Sequence, residues 1–220
     1  QRRQHTAAVP SDQHRADALG IAGNPIIQTP NLDQSGHEGV IFDRAYSDCP
    51  VCIPARTTMI TGRQAHRNGV PSYSEEARID RARSDYVGSL VTAAGYQTAL
   101  IGKTHWHTET SFRGGFESVT WNAQLRKEQF QRIGRSFGSA GLGFNQIAAG
   151  LSVVPPELQS SYWLTERAIE FLQLRERDQP FFLWVSYVDP HPPFLAHEPY
   201  FSMYEPGAVP LPYKSDWSQD

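Results

Sequence analysis

Cysteine and methionine are scarce in this chain, two of each in 220 residues. With only Cys49 and Cys52, a small scaffold stapled by several disulfides is ruled out. Long apolar runs are missing as well. The best of them, such as residues 181–185, are far too short to cross a bilayer, so no membrane partner is expected. Charge of one sign is nowhere concentrated: 20 Lys and Arg stand against 23 Asp and Glu, for a net charge of -3. A nucleic-acid-binding face needs a basic block, and none is present, so no nucleic acid is expected as a partner. The opening residues lack the charged n-region and apolar h-region of a secretory leader, although a start at Gln1 rather than Met leaves a removed leader open. Internal repeats and low-complexity linkers are absent too. What is there is 39% hydrophobic and 11% aromatic, enough for a real core in one domain of ordinary size or in part of a larger one.

Short apolar strands alternate with helices, the pattern of an α/β domain. Residues 89–94 read as the end of a helix, with Gly95 where a helix C-terminal glycine belongs. Residues 96–101 (YQTALI) read as a buried strand, and Gly102-Lys103-Thr104-His105 follows at its C-terminal end. Residues 161–177 carry Trp163, Leu164, Ala168, Phe171, Leu172 and Leu174 close to a helical period, and Gln179-Pro180 breaks it. Residues 181–188 (FFLWVSYV) form a near-continuous apolar run, as expected of a strand covered on both faces. Asp189-Pro190-His191-Pro192-Pro193 ends it. Both polar clusters fall just past a strand's C-terminal end, where open α/β sheets bind ligands. Residues 124–151, rich in Gly, Ser, Gln and Arg, predict loop and irregular helix. Beyond Pro193 the sequence is rich in proline and aromatics and shows no period.

The most informative stretch is Cys52-Ile-Pro54-Ala-Arg56-Thr-Thr-Met-Ile-Thr61-Gly62. It resembles the Cys-x-Pro-(Ser or Ala)-Arg-x-x-x-x-Thr-Gly signature of the formylglycine-dependent (type I) sulfatases of the alkaline phosphatase superfamily. The resemblance implies that a maturation enzyme oxidises Cys52 to an aldehyde, whose hydrate is the nucleophile. One hydroxyl attacks sulfur. The other then loses its proton and expels sulfate by breaking the C–O bond, which is covalent catalysis with a built-in exit. A cysteine outside such a motif is more often a buried structural thiol. Arg56 sits one helical turn beyond Cys52. By resemblance it holds the hydrated aldehyde and helps neutralise the site. A helix starting here points its positive end toward the anion.

The other motifs follow in the family's order. Leu100-Ile-Gly102-Lys103-Thr104-His105 resembles the family's Gly-Lys-Trp-His segment, with Thr104 in place of tryptophan. Alternating residues on an extended segment point the same way, so Lys103 and His105 are expected to share a face. The resemblance implies sulfate binding for Lys103 and proton removal from the hydrate for His105. His107 has the same parity and is read as pocket lining. His191 resembles the later family histidine that contacts the sulfate and protonates the leaving oxygen. Its flanking prolines suit a rigidly held acid. Ser11-Asp12-Gln13-His14-Arg15 resembles the N-terminal segment of bacterial sulfatases, in which the acidic residue and its neighbour bind a divalent cation. A carboxylate and an amide carbonyl suit Ca2+ first, with Mg2+ or Mn2+ as alternatives, and the hydrated residue 52 completes that set. Gln13, where many members carry Asp, also occurs in phosphonate monoester hydrolases of the superfamily. Each of these segments, met alone, would read as surface or turn.

Two departures shape the expectations. Residues 1–10 are polar and end in proline, a poor central strand, so they are expected to be atypical or disordered. The family also places two further metal ligands and a second lysine well downstream. After His191 this chain offers Glu198, Glu205, Asp216 and Asp220, none in an Asp-Asn or Asp-His pair. Residues 1–220 are therefore expected to be the N-terminal part of a single sulfatase catalytic domain, with the C-terminal part lacking and the metal site half built. The implied fold is α/β and alkaline-phosphatase-like: a mixed, mostly parallel central sheet flanked by helices.

Four readings stay open. The first is hydrolysis of sulfate esters, on a sulfated small molecule or carbohydrate. The second is a formylglycine-dependent phosphonate or phosphate ester hydrolase. The third is an inactive sulfatase-like fragment. The fourth takes Cys49-Pro-Val-Cys52 as a redox or metal-binding module, which would need further ligand pairs for zinc. A formylglycine-generating enzyme is the expected protein partner in the first two. The aldehyde can be installed in reducing cytosol or on export, so a soluble chain in cytoplasm or periplasm is expected.

Overall fold

The fold is built on two apolar strands that pair with each other. The computed structural model describes residues 4–73, 79–106, 112–134, 142–143 and 145–211. In chain order its elements are β1 (Thr6–Ala8), α1 (Pro30–Glu38), α2 (Cys52–Thr61), α3 (Ala65–Asn68), α4 (Val87–Ala93), β2 (Gln97–Gly102), β3 (Ser118–Thr120), α5 (Asn122–Ile133), β4 (Ala149–Leu151), α6 (Ser160–Leu174), β5 (Phe181–Ser186) and β6 (Phe194–Ala196). Short 3-10 turns lie at Pro156–Leu158 and Pro206–Ala208. Among the described residues the main sheet runs β1-β5-β2-β3, every pair parallel. The strands β4 and β6 form a separate parallel pair.

β2 and β5 are the long central pair, in register from Gln97 opposite Phe181 to Gly102 opposite Ser186. Successive side chains on a strand point to opposite faces. Leu100, Phe182 and Trp184 enter one core with Ile60 of α2, Tyr86, Trp106 and Phe116. Ala99, Ile101, Leu183 and Val185 enter the other with Leu125 of α5 and Trp163, Leu164 and Ala168 of α6. The result is three layers, helices on both faces of a parallel sheet. Leu100 and Leu164 are fully buried. Burial of each such side chain contributes roughly 1.5–3 kcal/mol.

Two expectations are corrected. The polar opening does form a strand. Thr6–Ala8 pairs in parallel with Phe182–Trp184, at the edge of the described sheet. An edge strand of three residues, mostly exposed, tolerates polarity that a central one would not. Pro10, which has no N–H to give, still offers its carbonyl to the Tyr187 N–H at 3.0 Å. The second correction concerns residues 124–151. Asn122–Ile133 is a regular helix. Its buried face is thin, Leu125 and Gln129, and the Gln129 amide donates to the Leu158 carbonyl at 2.8 Å. A polar residue in an apolar position hid the helical period.

Gly102 closes β2 where the chain turns into the site. Its φ is +106°, and a Cβ there would lie 2.1 Å from the Ser186 carbonyl oxygen. Both backbone and space demand glycine. Gly102→Ala is expected to lower the unfolding free energy by roughly 2–4 kcal/mol, read as an earlier denaturant midpoint. An unchanged midpoint would contradict this close approach of the β2 and β5 ends.

Candidate active site

Four chain segments end at one point beyond the carboxyl edge of the sheet. Asp12 follows β1, Lys103 follows β2, His191 follows β5, and Cys52 is the first residue of α2. Val51 caps that helix in extended conformation, and Gly62 stops it with a left-handed φ of 63°. The Thr61 hydroxyl turns back to the Thr57 carbonyl at 2.7 Å. The signature thus sets one ten-residue helix from Cys52 to its glycine cap. Ile53 and Ile60 are buried, so the helix cannot rotate Cys52 away from the site without exposing them.

Asp12 is the hub. It is 6% exposed, as is Arg56. Its carboxylate accepts a short hydrogen bond from the Lys103 ammonium and lies 3.5 Å from the Arg56 guanidinium. Arg56 also donates to the Lys103 carbonyl at 2.9 Å and to the Ser186 hydroxyl at 2.7 Å. Burial pushes the Asp12 carboxyl up. The hydrogen bond from Lys103 and the charges of Lys103, Arg56 and His191 outweigh that, and hold it below the usual 3.8. Burial pulls the Arg56 guanidinium down, and Asp12 opposes it. An arginine remains a cation throughout.

Asp12, Cys52 and His191 each offer a ligand-type atom, all within 4.8 Å of one another. His191 has its Nδ1 2.7 Å from the Pro192 carbonyl. His105 is half-buried with a left-handed φ of 53°. Burial, then the charges of Lys103 and Arg56, bring it down to about 4, with Asp12 opposing. Its neutral form therefore dominates near pH 7. The left-handed φ at His105 means that simple strand alternation does not describe residues 103–105. Gln13, next to Asp12 in sequence, is exposed with a φ of 61°. His107, Asp216 and Asp220 lie outside the described residues. Glu198 accepts from the Ser202 hydroxyl at 2.5 Å, a local contact, and Glu205 is exposed. Cys49 and Cys52 are both free thiols, and Cys49 faces the Pro71 carbonyl at 3.6 Å.

A calcium ion takes roughly six to eight oxygen ligands. The described residues supply one carboxylate, already engaged by two cations, together with a thiol and an imidazole that are softer donors. As it stands this set does not fit a resident calcium ion. Sequence reasoning missed Ser186, the buried anchor of Arg56. Its signal was present as the lone hydroxyl inside the apolar run of β5. Tyr73, whose hydroxyl lies 3.3 Å from His105 Nε2, carried no signal at all.

The model of the sulfatase family matches residues 6–210, and this chain belongs to that family. It is 32% identical to an arylsulfatase of Clostridium perfringens over 94% of its own length and 47% of that protein's. It is 30% identical to a multifunctional alkaline phosphatase superfamily protein of Trinickia caryophylli, over 97% and 47%. A solved structure bound to its substrate D-glucosamine-2-N,6-O-disulfate superimposes with a TM-score of 0.63 at 26% identity, over 87% of this chain and 35% of that one. The chain spans about half the length of the curated relatives it matches. Sulfatases generally use a divalent cation and a formylglycine. Among the described residues no helix is long and apolar enough to cross a membrane.

Two outcomes are expected. Asp12→Asn leaves Lys103 and Arg56 buried without a counter-charge and is expected to cost about 3 kcal/mol of stability at neutral pH. An acid held below its ordinary value stabilises in full above 3.8 and loses that contribution as pH falls through the lower folded value. The wild type therefore weakens on that acid limb, and the variant lacks this part of the dependence. Denaturant titrations at several pH values read both. Separately, an NMR titration is expected to show His105 protonating only near about 4; protonation near the ordinary histidine value would contradict the packing described.

Proposed function

We propose that this chain carries the nucleophile of a sulfate ester hydrolase, with Cys52 matured to formylglycine. One observation carries the reading: Cys52 converges with Asp12 and His191 within 4.8 Å, beside two cations and a single carboxylate. That surplus of positive charge, at the amino end of α2, favours a sulfate monoester. In this reading Arg56 neutralises the anion and orients residue 52. Lys103 turns from Asp12 toward the sulfate. His105, neutral at working pH, takes a proton from residue 52, and His191 gives one to the leaving oxygen. Asp12 and Gln13 are our candidate cation ligands, and further donors are needed to complete a shell. No step above depends on the cation.

A sulfated carbohydrate or small molecule is the substrate class we favour. The neighbour bound to a disulfated glucosamine supports it. A second reading, hydrolysis of phosphonate or phosphate esters, is favoured by Gln13 and by the multifunctional relative. A panel of sulfate, phosphate and phosphonate esters separates the two. A soluble chain remains our expectation, without choice of compartment.

The test is the mass of the tryptic peptide spanning residues 45–56, taken from the native host. We expect it to be lighter by the cysteine-to-aldehyde change and to react with a hydrazide. An unmodified thiol, from a host that matures other sulfatases, would sink the catalytic reading. A Cys49–Cys52 disulfide would favour the redox module instead.

A further inference from the structure

His105 has one nitrogen at the surface side and one inside. Its Nε2 lies 3.3 Å from the Tyr73 hydroxyl, and the two rings meet edge to face with centroids 5.8 Å apart. Its Nδ1 is buried, and among the described residues no hydrogen-bond partner reaches it. A neutral imidazole carries one proton, and the tautomer is set by the partner of the other nitrogen. Tyr73 is 63% exposed. A phenol oxygen can accept from the ring while its own O–H donates elsewhere. An N–H on that buried nitrogen would be a donor left unsatisfied, so a lone pair is favoured there over an N–H.

We propose that Tyr73 is a positioning residue that accepts the Nε2–H of His105 and leaves the buried Nδ1 as the bare, proton-accepting nitrogen. The backbone turn at His105 and the edge-to-face ring contact hold the imidazole in that orientation. The catalytic part of the inference rests on the hydrolase reading above. When His105 acts as a base in that reading, the proton it takes up goes to Nδ1, and the electron pair of the broken O–H bond stays on the donor oxygen. The resulting imidazolium keeps its Nε2–H on the Tyr73 oxygen. Without the tyrosine, the neutral ring is free to place its proton on Nδ1 and lose its function as base.

Tyr73→Phe tests this, since it keeps the ring contact and removes only the hydroxyl. Long-range proton–nitrogen NMR of the whole chain reads the tautomer directly, with His105 assigned by comparison with His105→Gln. We expect the Nε2–H tautomer in the wild type and a shift toward Nδ1–H in Tyr73→Phe, with the other histidine signals unmoved. A wild-type ring protonated on Nδ1, or a tautomer indifferent to Tyr73→Phe, would overturn the proposal. In matured enzyme the same variant is expected to lower kcat about tenfold with KM unchanged. Equal loss in both variant folding and KM, with the tautomer intact, would assign Tyr73 to structure alone. Absence of any hydrolase activity in the wild type would count against the hydrolase reading, and the tautomer result would still decide the role of Tyr73.

Discussion

A single buried carboxylate holds this structure's working end together. Asp12 has Lys103 on one oxygen and Arg56 near the other, and Arg56 reaches on to Ser186 and to the Lys103 carbonyl. Removing charges from water costs several kcal/mol per ion unless they are paired. The end of β1, the second turn of α2, the end of β2 and the last residue of β5 must therefore arrive together or leave charges stranded. The sheet order makes that possible. β5 lies between β1 and β2, so Ser186 sits between the segments that supply Asp12 and Lys103.

The sheet in turn depends on a two-sided pattern. Residues 99–101 and 182–185 alternate between two cores with no polar side chain among them. This fixes the register of the central pair, because a slip by one residue would exchange the cores and move Gly102 away from Ser186. The close approach at Gly102 then brings Lys103 over the strand ends, where its N–H donates to the Ser186 carbonyl at 3.0 Å. Cys52 arrives independently, on a helix whose own residues cap and bury it. Packing thus delivers two sub-sites, and the Asp12 cluster locks them to each other.

Much of this was legible in the sequence because local rules and function coincide there. The Cys52 motif encodes a helix start and a left-handed glycine stop, so chemistry and structure are written in the same residues. The strands around 97–102 and 181–186 announced themselves by unbroken apolarity. The failures have a common physical cause: tertiary context supplied what the local pattern lacked. Thr6–Ala8 is a strand only because Phe182–Trp184 lies alongside. The α5 helix buries Gln129 because a carbonyl at Leu158 waits for it. Tyr73 meets His105 across 32 residues of sequence, a contact that no periodicity describes.

The same carboxylate also sets the order in which ligands can act. Lys103 is bonded to Asp12, so an arriving anion or cation would compete for one member of that pair. In the proposed reading, an anion at residue 52 would draw Lys103 away and leave Asp12 with Arg56 alone, more open to a cation. A cation at Asp12 would repel Lys103 and release it toward an anion. Each arrival would then favour the other through the Lys103–Asp12 pair.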